Sequence, residues 1–499
     1  MEYGKGLSVR ETGIPGLLVA DLAVHGDARG WFKENWQREK MRALGVPDRR
    51  WVQNNVSYNA SRGVVRGVHA EPWDKWVSVA CGSVFGAWVD LRAGSPSYGR
   101  AWTCVVDPSV AVYVPRGVGN SYQALEDGTT YTYLVDAHWA AELKPTYTFV
   151  NLADPALGID WPIPLSECEL SEADRAHPML ADVVPMRPRR TLVTGAGGQL
   201  GRAVRAEAEA RGIAGDFDWT DVVAAPGAGV SAFDLSDPDA YGSIDWSLYG
   251  TVVNCGAYTA VDAAETPEGR VACWRANAEG PALLARTCAE RGMTLVHVSS
   301  DYVFDGTRGA HGEGEALSPL GVYGQAKAAG DLAVAGCPAH YVVRSSWVIG
   351  DGRNFVRTMC ALSDRVADPG DALSRVTVVD DQVGRLTFAP EMARGILWLL
   401  GYREGDTYPS APAAYGTYNL TGSGRPASWA EVARRVFDLR NGNGGAVVPV
   451  TTADYYASAA GPIAPRPASS TLDLAKLEAT GFAPSDWEAD LEAYVQSLR

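Results

Sequence analysis

Through the first 160 residues, apolar positions fall in short runs broken by Gly, Pro, Asn and Asp. WVSVACGSVFGAWVDL (76–91), AWTCVV (101–106), AVYVPRG (111–117), TTYTYLVDAHW (129–139) and TYTFVNL (146–152) are rich in β-branched and aromatic residues. Short runs of this kind predict strands. Only QREKMRALG (37–45) has the spacing of a helix. From residue 190 the pattern changes. Strand-like runs (TLVTG, TVVNCGA, LVHVSS, HYVVRSSWV) alternate with helical ones (GRAVRAEAEARG, PALLARTCAERG, TFAPEMARGILWLLG). The first texture predicts an all-β sandwich or jelly roll, and the second a parallel sheet with helices on both faces. The expected layout is a β domain over 1–177, a proline- and charge-rich linker over 178–189, and an α/β domain over 190–499.

Composition narrows the function. A net charge of −15 argues against nucleic-acid binding, which needs a basic footprint. No apolar run reaches the roughly 20 residues that span a bilayer, and the first residues lack the apolar core of a signal peptide. Eight scattered cysteines without a Cys-x-x-Cys pair fit reduced thiols in a cytoplasm. The front half has no His-x-His pair, so no metal is expected there.

The α/β half carries a glycine turn after its first strand, TLVTGAGGQLGR, with Gly195, Gly198 and Gly201. Such a turn lets the backbone approach a diphosphate at a helix N-terminus. VYGQAK puts Tyr323 and Lys327 four residues apart, on one helix face. A nearby ammonium is expected to bring the phenol pKa toward neutrality. Ser299 and Ser300 end a strand in HVSSDYVFDG, where a hydroxyl can hold a carbonyl. A hydroxyl, Tyr and Lys together form a proton relay for ketone reduction. Asp216, Asp218 and Asp221 are candidates to hold a free ribose, and no arginine obviously follows the second strand.

These stretches, with VVNCGAYTAVDAAE (252–265), RSSWVIGDGRNFV (344–356) and PRPASSTLD (465–473), resemble the dTDP-4-dehydrorhamnose reductases of the extended short-chain dehydrogenase/reductase family. The resemblance implies a Rossmann fold with a small substrate-binding lobe, and that Ser300, Tyr323 and Lys327 are catalytic. It implies that Gly195, Gly198, Gln199, Leu200, Asp234, Leu235, Cys255, Gly256 and Ala257, together with Tyr323 and Lys327, hold the cofactor. NADPH is expected, and NADH is admissible. Thr259, Val261, Trp347 and Arg466 would lie near the nucleotide-sugar.

In the front half, RGVVRGVHAEPWDKW brings Arg66, His69 and Lys75 close in sequence. A His–Asp pair would make a general base and a lysine would stabilise an enolate. HGDARGWFKENW (25–36), WVQNNVS (51–57), VVRGVHA (64–70), CGSVFGAWVDLRAGSPSYG (81–99), VYVPRGVGNSY (112–122) and LGIDWP (157–162) resemble the dTDP-4-dehydrorhamnose 3,5-epimerases, which have a jelly-roll fold. By that resemblance His69 is the base, Asp174 its partner, Tyr133 the acid and Lys75 the oxyanion stabiliser. Arg29, Glu34, Gln53, Asn55 and Arg66 would contact the sugar nucleotide. Ala70, Asn120 and Trp139 depart from the family pattern of an aromatic, a histidine and a tyrosine. The two resemblances imply a bifunctional route from dTDP-4-dehydro-6-deoxy-D-glucose to dTDP-L-rhamnose in a homodimer paired through the front half. A different 6-deoxy-L-hexose, such as 6-deoxy-L-talose, or a non-catalytic dinucleotide-binding subunit are the open alternatives.

Overall fold

The computed structural model describes residues 4–498 apart from 407, 410, 411, 459 and 460. The chain divides into two compact units, Met1–Pro188 and Arg189–Arg499.

In the first unit two antiparallel sheets face each other. One runs Ser8–Glu11, Leu18–Asp21, Val110–Val114, Lys75–Cys81, Thr129–Val135, Gln53–Asn59 in spatial order. The other runs Thr148–Phe149, Val65–Ala70, Val118–Ala124, Val84–Asp90, Ala101–Val106. Alternation along each strand sends Val77, Val79 and Val112 inward to meet Val84, Trp88 and Val118. The outer face of the first sheet is not left to solvent. Trp76, Ala111 and Tyr113 pack there under Met41 and Val46, which gives the short helix Arg38–Ala43 its place. A buried carboxylate fixes the strand that starts at Lys75: Asp74 accepts from Arg49 Nε (2.5 Å), the Tyr113 hydroxyl (2.6 Å) and the Arg116 backbone N–H (2.7 Å).

The stretch expected as a linker belongs to this unit. Val183 and Met186 are buried against Val89 and Leu91, the Leu180 N–H donates to Asp154 Oδ2 at 2.6 Å, and Met186 bridges Arg92. Leu180, Val183 and Met186 cover the outer face of the second sheet, so the stretch is docked through them rather than free.

The second unit holds a seven-stranded parallel sheet: Val230–Ala232, Phe217–Asp221, Arg190–Thr194, Tyr249–Asn254, Thr294–Ser300, His340–Ser345, Gly416–Asn419. The chain builds outward in one direction from Arg190–Thr194 and then in the other from Tyr249–Asn254, so a crevice opens at that reversal. Helices Gln199–Ala210 and Ala389–Leu399 cover one face through Leu200, Val204, Met392 and Ile396. Helix Gly280–Arg291 covers the other face with Leu284 and Cys288. A smaller lobe packs helices Phe355–Ala367, Trp429–Asn441 and Trp487–Ser497 around Phe437 and Trp487.

Two candidate active sites

Each unit builds a cavity from its own residues. In the first, a space of about 800 Å³ is lined by His69, Lys75, Asn120, Tyr131, Tyr133, Trp139, Asp174 and His177, among others. His69 reaches it through a bulge: the pairing of its strand with Val118–Ala124 slips between Asn120 and Tyr122. Gly67, at φ +121°, sits at that slip, and a Cβ there would stand 2.6 Å from Ser121 Cβ. His69 Nε2 donates to Asp174 Oδ1 at 2.8 Å across 105 residues of sequence. Asp174 is set by the N-cap of a one-turn helix, its N–H donating to Ser171 Oγ at 3.1 Å. Burial pushes the Asp174 carboxyl up, but the His69 hydrogen bond and charge outweigh it and hold the group below its ordinary range. An ionised Asp174 only accepts, so a neutral His69 imidazole in this contact carries its proton on Nε2 and the lone pair on Nδ1.

Lys75 is buried and pairs with Glu71 at 2.5 Å. Its ammonium lies 5.8 Å from the Tyr133 ring. Burial, helped by the Glu71 charge, pushes the Tyr133 phenol up to about 12, so it is protonated at neutral pH. Asn120, register partner of His69, accepts from the Tyr131 hydroxyl at 2.8 Å. Ala70 points into the core beneath Val150 and does not line the cavity.

The expected sugar-contact residues divide. Arg66 lines the cavity. Gln53 and Asn55 do not line it: they bond each other at 2.7 Å, Gln53 accepts from the N–H of Trp139 at 3.0 Å, and Asn55 hydrogen-bonds the Tyr133 phenol. Arg29 and Glu34 are not at this cavity. Arg29 turns back to Asp27 (2.5 Å) on the exposed hairpin Val24–Asp27/Gly30–Lys33, and Glu34 pairs with Lys40 (2.5 Å) beside a separate hollow. Glu71 and His177 went unread in the sequence. A carboxylate four residues before a lysine was the only signal for Glu71.

The second cavity, about 1050 Å³, lies at the strand-order reversal. Every expected cofactor residue lines it, as do Ser300, Thr259, Val261 and Trp347. The glycine turn is a close fit: a Cβ on Gly195 (φ +68°) would stand 2.4 Å from Gly256 N, and one on Gly201 2.3 Å from Gly195 O. Protein backbone therefore stands where a Cβ at either position would go, and only glycine lets the turn close on the helix and on Gly256. Asp221 lines the cavity and accepts from the Gly197 N–H at 2.8 Å. Asp218 is instead tied to Arg190 and the Tyr249 hydroxyl, and Asp216 does not line the cavity.

Tyr323 and Lys327 sit one turn apart on helix Val322–Ala335. Lys327 Nζ donates to Val298 O at 2.6 Å, and burial pushes its ammonium down to about 8. The expected lowering of the Tyr323 phenol is not met: burial and the Asp301 charge push it up, with Ser300 pulling weakly the other way. The ammonium is engaged with a carbonyl, and the phenol is therefore a neutral donor. Asp301, unread in the sequence, accepts from the Ser300 hydroxyl at 2.9 Å, and burial raises its carboxyl to about 6. Trp347 takes a left-handed φ of 48° and stacks on Trp429 at 3.7 Å. Strain of this kind is held by surrounding packing and gathers at functional sites. Arg466 does not line the cavity. It pairs with Asp262 at 2.8 Å, next to Val261.

A His–Asp dyad with Lys and Tyr in a β sandwich, and a Ser–Tyr–Lys set beside a glycine turn, define an isomerase-like unit and a reductase-like unit in one chain. Known proteins agree. Residues 11–182 match the model of the dTDP-4-dehydrorhamnose 3,5-epimerase family and residues 189–499 that of the RmlD substrate binding domain, and the chain belongs to both. The front is 52% identical over 193 residues to the Protein RmlC homolog of Streptococcus pyogenes serotype M6, covering 38% of this chain and 96% of that protein. The back is 34% identical over 314 residues to the dTDP-4-dehydrorhamnose reductase of Aggregatibacter actinomycetemcomitans, covering 61% of this chain and 97% of that protein. The solved dTDP-4-dehydrorhamnose reductase of Bacillus anthracis, in complex with NADP, is 28% identical with a TM-score of 0.51, over 62% of this chain and 99% of that one.

Proposed function

We propose that this chain performs two consecutive steps: 3,5-epimerisation of dTDP-4-dehydro-6-deoxy-D-glucose, and reduction of the resulting 4-ketone to dTDP-L-rhamnose. The observation that carries this reading is that each family-matched unit has its own cavity with a complete proton-handling set. We read the sandwich as a jelly roll and the parallel unit as a Rossmann fold, on their strand orders. The domains are read as 1–188 and 189–499.

In the first site, Nδ1 of His69 takes a proton from carbon beside the ketone. Asp174 holds the ring through Nε2 and stabilises the imidazolium. Lys75 stabilises the enolate oxygen, its charge shared with Glu71. The neutral phenol of Tyr133 returns a proton from the other face. In the second site, Gly195, Gly198 and Gln199 would hold the cofactor diphosphate and Cys255–Ala257 the ribose near the nicotinamide. Bound NADPH supplies the hydride; NADH is accommodated as well, since Asp221 offers a carboxylate to a free 2′-hydroxyl. Ser300 fixes the ketone oxygen, Tyr323 gives it a proton, and Lys327 restores charge balance at the phenol. Thr259, Val261 and Trp347 face the sugar, and Arg466 sets the Asp262 side of that wall.

A homodimer through the front unit is part of this reading. Its support is the exposed hairpin bearing Phe32 (67% exposed) and Trp31, which a second copy would cover while receiving Arg29 and Glu34. No helix among the described residues is long and apolar enough to cross a membrane. All eight cysteines are free, which fits a reducing cytoplasm. The test is to supply the full chain with dTDP-4-dehydro-6-deoxy-D-glucose and NADPH in heavy water. Deuterium at C3 and C5 of a rhamnose product, read by proton couplings, supports the reading; cofactor left unoxidised with folded protein overturns it.

A further inference from the structure

His177 has no role in the chemistry above, yet its ring faces the first cavity. Its Nδ1 is buried without a hydrogen-bond partner, and its Nε2 stands 4.0 Å from Asp174 Oδ1, too far for a hydrogen bond. The ring is held by packing: it stacks on Phe149 at 4.6 Å and meets the His69 ring edge-on at 5.4 Å. Its backbone is pinned too, the carbonyl accepting from Asn151 Nδ2 at 3.1 Å. His69, Asp174 and His177 each offer one donor atom, and the three lie within 4.8 Å of one another.

We propose that His69, Asp174 and His177 form a binding site for a divalent transition-metal ion of the zinc class, and that its occupation silences the epimerase unit while the reductase unit keeps working. Two imidazoles and a carboxylate are a ligand set for such ions, and the open cavity leaves room for water in the remaining positions. With bonds of about 2.1 Å, tetrahedral donors stand roughly 3.4 Å apart. The 2.8 Å contact between His69 and Asp174 opens slightly and the His177 ring swings inward. Silencing follows from proton count. A neutral imidazole carries a single ring proton. In the metal-free site that proton is on Nε2, toward Asp174, and Nδ1 is the base. A metal on Nε2 leaves the proton on Nδ1, so the atom that must take a proton from carbon already bears one. This second half of the proposal rests on the epimerase reading; the binding half does not.

The test titrates Zn²⁺ into the full chain by calorimetry, and Co²⁺ by visible absorption. It then follows solvent deuterium entry into the ketosugar and, separately, NADPH oxidation with pre-epimerised ketosugar. The expected result is one chelator-reversible ion in the front unit. Deuterium entry should fall at least tenfold at saturation while NADPH oxidation stays within twofold. His177→Gln should weaken metal binding at least tenfold, and His177→Asn provides a smaller substitution should Gln disturb the fold. Equal affinity in wild type and both variants, or parallel loss of both activities, overturns the site. If deuterium never enters even without metal, the epimerase reading fails, and the site is then judged by the binding titration alone.

Discussion

At position 69 one ring nitrogen, Nε2, is taken up by Asp174, and each side chain proposed as catalytic is likewise set by its neighbours. His69→Ala or Tyr133→Phe should slow solvent deuterium entry by roughly 10²–10⁴, the usual worth of a general acid or base. NADPH oxidation of pre-epimerised sugar should survive in both. Tyr323→Phe should do the reverse, measured by the same two assays. Lys327 gives a pH prediction. Burial brings its ammonium to about 8, so the charged form is fully present below that pH and is lost above it. The turnover number of the reductase should therefore fall as pH rises through about 8, seen in a pH series at saturating cofactor. Tyr-x-x-x-Lys was readable because four residues of helix guarantee a shared face. The raised pKa of Tyr323 was not, because it depends on Asp301 and on burial, and neither is local to the motif.

Among elements, the glycine turn and the Asp74 anchor carry the most consequence. Gly201→Ala would put a Cβ 2.3 Å from Gly195 O. It should raise the cofactor KM by roughly tenfold or more, about 1.4 kcal/mol of binding, and leave deuterium entry unchanged. Asp74→Ala strands Arg49, Tyr113 and the Arg116 N–H around a buried gap. Breaking a buried pair in this way costs roughly 3 kcal/mol. Epimerase activity should then be lost at lower urea than in wild type, with the reductase midpoint unmoved. The strand-rich and alternating textures were legible as runs of β-branched residues and helical periods. The hairpin at Val24–Lys33 and the docked stretch 178–187 were not, since a glycine-rich turn and a proline-rich stretch look like loop until a sheet face is available to cover.

For the whole molecule, each cavity is lined by residues of one unit only. A mixture of His69→Ala and Tyr323→Phe chains should accordingly regain net conversion of the unepimerised ketosugar to reduced product, monitored by NADPH oxidation. Failure of the mixture, with each chain retaining its single activity, would mean that the intermediate does not pass between chains. The sequence by itself determined what contiguous residues can determine: two textures, the glycine turn, the Tyr–Lys helix face and the histidine strand. Local geometry follows from backbone period, so those features needed no distant partner. Tertiary structure alone decided which groups meet. It closed the His69–Asp174 pair, which the family resemblance implied, over 105 residues, and it set His177 beside them, gave Lys75 to Glu71 and turned Arg29 away from the cavity. Such pairings depend on how sheets pack and where a strand bulges, and no short stretch of sequence encodes that.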